Sequence, residues 1–457
     1  MIALTRAEIR RIHALFCRRY LTTSTRGPLP PLVLTCEPGI GLSVRYHRSH
    51  LAVELVLPGD RPSSAGSIAL PLDALAELEG RDESIVNLDA SAFDRVVARW
   101  TDRGVPRSRE YVVGDRPPPF PDPPSRFDPC PVGLLDALAS AVDVAGEDSS
   151  RYALGSIQLR GGSGEVVATD GRQLLIQSGF RFCWDDDVLV HASPMFACRA
   201  LPRDLAATIG RTDSHVVLRL GAITLWLAIR ADVRYPKVDD VVPSENARFT
   251  RLRLDSTDIK TLADVLPHLP GAETSDAVTL DLNGAIAIRA KDPGDGPPTE
   301  LILPRSSYVG DPIRIATDRT YLARALDLGA TEIRLTGKNA PVSGRGAGKT
   351  YAWQPLPSDL AIEPAPNAVR LESIPAKTPN ALPRRPTVSL PPPVRESSPR
   401  ETPATSLIQE AESLHATLSE AKAKAGRLVI ALRRQRKQNK LVAETLRSLE
   451  QLREVAG

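Results

Sequence analysis

The chain has 457 residues, 42% of them apolar, a length that predicts two to four domains with packed cores. No apolar run reaches 18 residues and the N-terminus lacks a secretory core and cleavage site, so neither a membrane span nor a leader is expected. Net charge is +3 but uneven: 16 Lys and Arg face 11 Asp and Glu after Pro357, and 42 face 44 before it, which excludes a simple polycation while allowing one basic face. The five cysteines are odd in number and show no C-x-x-C spacing. They predict reduced, structural thiols in a cytoplasmic protein, with no metal site and no cofactor.

In chain order, "TRAEIRRIHALFCRRY" (5–20) opens with a capping box, Thr5 and Glu8, and sets Ile9, Ile12 and Phe16 on one helical face. "LPLDALAELEGRDESIVNL" (70–88) reads as a short helix, a glycine (Gly80) and a strand of alternating apolar residues. The same order returns in "LPRDLAATIGRTDSHVVLRL" (201–220) with Gly210, and in "TDRTYLARALDLGATEIRLT" (317–336) with Gly329. The copies are about 120 residues apart, which is the mark of a repeat. Each glycine is placed as a helix C-cap. An upstream helix recurs at similar spacing in "VGLLDALASAV" (132–142; Leu135, Leu138, Val142) and "DSTDIKTLADVL" (255–266; Ile259, Leu262, Leu266). Hairpins lie between the helices. "AVTLDLNGAIAIRA" (277–290) turns on Asn283-Gly284, and "SIQLRGGSGEVVATD" (156–170) is a second. The expected class is α+β, built three times, with two helices on antiparallel sheet in each unit.

Pro-rich or irregular stretches at 116–131 and 234–249 separate the units. The boundaries read as 1–121, 122–245 and 246–357, then an extended Pro-rich linker over 358–404 and a basic helical tail over 405–457. In the tail, Leu407, Ala411, Leu414, Leu418, Ala421, Ala425, Leu428, Leu432, Val442, Leu446 and Leu449 fall in an a/d heptad register, broken by Gln435 and Asn439 beside the basic run Arg433–Lys440. Coiled-coil pairing and a solvated, partly helical tail both remain open.

"SGRGAGKTYAWQPLP" (343–357) imitates a phosphate-binding loop at Gly348-Lys349-Thr350. The pattern requires glycine where Ser343 stands and a helix afterwards. The prolines and aromatics of 351–357 cannot open a helix, so the segment reads as a glycine-rich hairpin. No paired carboxylates with a histidine, no nucleophile elbow and no metal cluster occur, and "WDDD" (184–187) reads as a solvated turn. The chain is therefore read as non-catalytic.

"VVATDGRQLL" (166–175) and "RYPKVDDVVP" (234–243) resemble two signature stretches of the bacterial DNA polymerase III beta subunit, the replicative sliding clamp. "STRGPLPPLVL" (24–34), "RYALGSIQL" (151–159) and "YAWQPL" (351–356) resemble three more, in order over roughly 1–357. The resemblance implies three tandem clamp domains, closed head to tail with a second copy into a six-domain ring around duplex DNA. It implies a non-catalytic processivity factor whose lining is mildly positive and reads no sequence. Candidate lining residues are Arg6, Arg10, Arg11, Arg26, Arg203, Arg319 and Arg324, each of which could instead sit on a solvated helix face. Acidic Asp73, Glu77, Glu79 and Asp204 depart from the family's more basic pattern.

It also implies a pocket where polymerase and clamp-loader subunits insert short hydrophobic peptides. By motif match its residues are Leu154, Thr169, Gly171, Arg172, Leu174, Pro243, Ala352, Gln354, Pro355 and Leu356. The family usually carries a bulkier residue at Ala352 and a methionine at Gln354. A specialised clamp paralogue, or a coiled-coil scaffold using the clamp fold only to bind peptides, are the alternatives.

Overall fold

The computed structural model describes residues 1–372 except 23–26, 38, 40, 60–65, 93, 115–116, 244–246, 272–275 and 295; the heptad tail therefore lies outside the described residues. Met1–Ala376 forms one compact unit.

Three repeats share one plan, and the plan is visible in the sheets. In each repeat four strands stand in the spatial order fourth, first, second, third. In the first repeat these are Gly66–Leu70, Leu32–Glu37, Gly41–Arg48 and Leu51–Leu57. In the second they are Asp187–His191, Ser156–Arg160, Glu165–Thr169 and Gln173–Ser178. In the third they are Ile313–Asp318, Ala277–Asn283, Ala285–Ala290 and Thr299–Ile302. Each repeat then adds a second half-sheet. Its last strand is Val105–Val112, Ile223–Ala228 or Lys349–Trp353.

Repeats join by one rule, third strand against the next repeat's last strand. Leu51–Leu57 pairs antiparallel with Ile223–Ala228, from Leu55 opposite Ile223 to Leu51 opposite Leu227. Gln173–Ser178 pairs antiparallel with Lys349–Trp353, from Gln173 opposite Trp353 to Gln177 opposite Lys349. The joints fuse the half-sheets into sheets of eight and nine strands.

Six α-helices accompany the sheets among the described residues. Helix α1 (Arg6–Leu15) starts at the expected capping box: the Thr5 side chain accepts from the Glu8 amide and Glu8 accepts in return from the Thr5 amide. Such a cap stabilises by about 1 kcal/mol. Its stripe of Ile9, Ile12 and Phe16 is fully buried, each side chain contributing roughly 1.5–3 kcal/mol. The short helix α2 (Arg18–Leu21) follows, then α3 (Leu72–Leu78), α4 (Leu134–Val142), α5 (Ser256–Val265) and α6 (Arg319–Asp327).

The second repeat departs from expectation. Residues 201–206 form no helix, and one 3-10 turn, Pro194–Ala197, stands in its place. Leu201 and Leu205 have helical spacing, but Leu205 is exposed and only residues 202–206 separate Leu201 from the strand at Ala207. With Leu205 facing solvent, the segment has no second buried position to complete a helical stripe.

The three marker glycines also divide. Gly329 is a true helix terminus, with φ +85° and its amide donating to Leu326 O at 2.8 Å. Gly210 lies within a strand instead, where an added Cβ would come within 2.6 Å of Arg126 O. Gly80 makes room for Arg6, whose Nε would lie 2.7 Å from such a Cβ.

The 343–357 segment is the expected hairpin. Val342–Gly346 and Lys349–Trp353 pair antiparallel across Ala347-Gly348, whose φ values of 48° and 74° describe a tight primed turn. The chain does not loosen at Pro357 as the linker reading expected. It passes through a 3-10 turn, Ser358–Leu360, and adds a strand, Val369–Glu372, parallel to Thr299–Ile302.

Candidate partner pocket and lining arginines

The joint between the second and third repeats has a hollow beside it. Leu174 stands directly opposite Ala352 in the joined strands. Together with Val167 and Val238 they form a buried apolar cluster separate from the main core, with Ile176, Tyr235 and Val242 packed against it. Above this floor opens a cavity of about 550 Å³. Its mouth carries Arg172, Lys237 and Asp240, all exposed. An apolar floor with a few polar groups at the rim suits a hydrophobic ligand.

The turn at Thr169–Gln173 holds one wall rigid. The Asp170 carboxylate accepts from the Arg172 and Gln173 amides at 2.7 and 2.8 Å and from Gln173 Nε2 at 2.8 Å. Thr169 Oγ1 donates to Gln173 O at 2.6 Å and accepts from the Gly171 amide at 3.0 Å. Gly171 sits at φ +90°, where a side chain would be strained. The Gln354 amide donates to Arg172 O at 2.9 Å and thereby ties the opposite wall to this turn. Beneath, Gln173 Oε1 accepts from both Tyr351 Oη and Arg324 Nη1 at 2.6 Å. Burial pushes the Tyr235 and Tyr351 hydroxyls above the ordinary phenol range, so both stay protonated donors.

Of the ten residues anticipated for a pocket, Leu154, Thr169, Gly171, Arg172, Leu174, Ala352 and Gln354 line this cavity. Pro355 and Leu356 line an adjoining depression that shares Gln354, and Pro243 lines neither. Sequence reasoning missed Tyr152, Pro236, Val238, Pro341 and Trp353. Pro236 and Val238 lie inside the 234–243 stretch, so the stretch as a whole was the available signal.

The other joint is an internal comparison. Register equates Leu174 and Ala352 with Ala52 and Trp226. There the hollow is filled. Phe120, from the Pro-rich linker, packs edge-on against Trp226 at 4.8 Å, and Trp226 Nε1 donates to Asp122 O at 3.2 Å. Arg45 lies over the Phe120 ring at 5.0 Å. An aromatic side chain with its flanking backbone thus plugs one joint, while small Ala352 leaves the other open.

The arginines separate into two groups. Arg10 and Arg11 are exposed on α1. Arg6 is turned inward and donates to Leu78 O, Glu79 O and Asp102 Oδ1 at 3.3, 2.9 and 2.8 Å. Arg203 is engaged with Asp136 and donates to Phe196 O at 2.6 Å. Arg319 is 4% exposed and donates to Leu269 O and Pro270 O, each at 2.7 Å. Arg324 reaches Gln173 below the pocket. Arg26 lies outside the described residues. Helix termini and loop ends need donors for their last carbonyls, and arginine's fork supplies them, a use that helical periodicity does not reveal. Two acidic departures are likewise occupied internally. Glu77 accepts from Tyr111 Oη at 2.8 Å and pairs with Arg109, and Glu79 lies 2.8 Å from His13 Nδ1.

No family model matches the chain, and no curated protein matches it in sequence. Solved structures do match. The DNA polymerase sliding clamp of Pseudomonas aeruginosa superposes with a TM-score of 0.64 at 18% identity, covering 78% of this chain and 99% of that one.

The chain has the sliding-clamp fold.

The clamps of Thermotoga maritima (TM-score 0.63, 15% identity) and Bartonella birtlesii (0.64, 16%) match over the same 78% of this chain and 99% of theirs. Among the described residues, no helix is long and apolar enough to cross a membrane.

Proposed function

We propose that this chain is a non-catalytic clamp subunit that encircles duplex DNA as a head-to-tail pair and tethers polymerase and clamp-loader subunits through the open pocket. One observation carries the reading: the joint rule leaves a last strand, Val105–Val112, at one end and a third strand, Thr299–Ile302, at the other. These are the two halves of a third joint, and a second copy supplies their complements. A heterologous contact of this kind closes into a ring when its rotation permits. The ring holds DNA by topology, so a lining with few free arginines suffices and sequence goes unread. The pocket accepts a short hydrophobic peptide, as the filled joint accepts the Phe120 plug. The setting is the cytoplasm.

The inward commitment of Arg6, Arg203, Arg319 and Arg324 supports a second reading, a specialised clamp with weak grip on DNA. Retention on DNA circles tests both. Protein loaded onto a nicked circle by its cell's clamp loader should co-elute with the circle and be lost on linearisation. Equal retention on linear and circular DNA refutes topological tethering.

A further inference from the structure

The third strand of the last repeat is not free. Val369–Glu372 lies along its outer edge, Thr299 opposite Val369 and Ile302 opposite Glu372, with the Val369 amide donating to Pro298 O at 2.9 Å. The equivalent edges in the other two repeats each accept an antiparallel last strand over five residue pairs. Here the occupant is parallel, follows the last repeat instead of belonging to a next one, and covers four.

The segment leading to it is also anchored. The Ile362 amide donates to Thr279 Oγ1 at 2.7 Å, and Glu363 pairs with Arg314. Arg314 Nε lies 3.1 Å from Asp281, Asp281 pairs with Arg289, and Arg289 Nε lies 2.5 Å from Glu300. Arg370 Nε closes the series on Glu300 at 3.2 Å. Charges alternate from Glu363 to Arg370 across all five strands of this sheet. Asp281, Arg289 and Glu300 are at most 6% exposed, and a buried carboxylate needs such partners. Both ends of the series are supplied by residues after Pro357.

The geometry points to an intramolecular cap: Val369–Glu372 occupies the edge through which a second copy would complete the third joint, so that the ring closes only when this segment leaves. The inference rests on the ring reading above. An exposed edge strand invites pairing, and a short self-supplied strand is one way to refuse it. The cap is built to be displaced, since all four of its residues are exposed. Its competitor, Val105–Val112, has twice its length and carries the exposed Arg107, able to take the place of Arg370 beside Glu300.

The test is sedimentation velocity on the full chain and on Met1–Ala376, the compact unit without the heptad tail, over about 0.1–50 µM. Each is compared with Val369→Pro/Leu371→Pro, which removes amide donors from the cap, and with Arg370→Glu, which sets a carboxylate against Glu300. Neither change touches a core, and circular dichroism checks that the fold persists. We expect Met1–Ala376 to be monomeric where both variants dimerise, with at least a tenfold lower dimer dissociation constant. Equal dissociation constants for parent and variants overturn the cap, whether all are dimers or all monomers. The ring reading is scored separately on the same samples. Dimers retained on circular but not linear DNA uphold it even if the cap fails, and variants that neither dimerise nor stay on circles sink both.

Discussion

Replacing Arg319 by alanine should unfold the third repeat before it affects DNA. The two 2.7 Å bonds to Leu269 O and Pro270 O are charge-assisted and buried, and a 3.4 Å approach to Leu266 O adds little. Each strong bond contributes about 1.5–3 kcal/mol, and alanine leaves carbonyls without a donor, so the loss comes to about 3–5 kcal/mol. For a repeat of this size that lowers the melting temperature by roughly 12–20 °C. The control is Arg10→Ala/Arg11→Ala, on two exposed side chains, which should change stability by no more than about 0.5 kcal/mol. It should instead reduce the slope of log affinity against log salt by about 0.9 for each phosphate no longer neutralised. Thermal circular dichroism and fluorescence anisotropy with duplex DNA at several salt concentrations measure the two effects. If Arg319→Ala melts within roughly 2 °C of the parent and loses DNA affinity as the double variant does, the assignment of Arg319 to the interior is wrong.

Three further outcomes are expected. Ala352→Trp copies the residue at the filled joint and should close the 550 Å³ cavity, abolishing peptide binding by calorimetry while leaving the melting temperature near that of the parent. His191, half-buried at the first joint with its ring 4.8 Å from His50, is held down to about 4 by burial, then by His50 and Arg230, with Asp148 opposing. Its unfolded form binds a proton that the folded form refuses between about pH 6.5 and 4, so stability should fall across that window as pH drops, by on the order of 2 kcal/mol after allowing for partial exposure. His191→Gln should flatten urea-derived stability there, and an unchanged pH profile would rule this origin out. Purified protein should neither bind nor hydrolyse ATP, because Lys349 begins a strand rather than a helix; micromolar binding abolished by Lys349→Ala would contradict the hairpin assignment.

Local chemistry was readable where one residue type has one backbone use. The capping box at Thr5 and Glu8 and the helix end at Gly329 act as their sequence patterns say, and Asn283-Gly284 marks a hairpin, although Asn283 pairs with Ala285 and only Gly284 takes a positive φ, so the turn is not the two-residue primed type. Gly80 and Gly210 have the same spacing but owe their size to Arg6 and Arg126, neighbours remote in sequence, which no window can register. The pocket floor was partly readable because Leu174 and Ala352 fall in the family-like stretches 166–175 and 351–356, whereas Pro341 enters from a loop that carries no motif. The cap strand was hidden for a sharper reason. Val-Arg-Leu-Glu follows Pro364 and Pro366 and looks like linker, and parallel pairing with residues 299–302 leaves no local trace.

The plugged joint sets a valency. With Phe120 stoppering one internal joint and Ala352 leaving the other open, each chain would, on the proposed reading, offer one berth at its two internal joints. A ring of two copies would then present two berths on opposite arcs, related by its twofold axis. A polymerase could hold one while a second enzyme waits on the other, and exchange between them would be a local event at high effective concentration rather than a fresh encounter from solution.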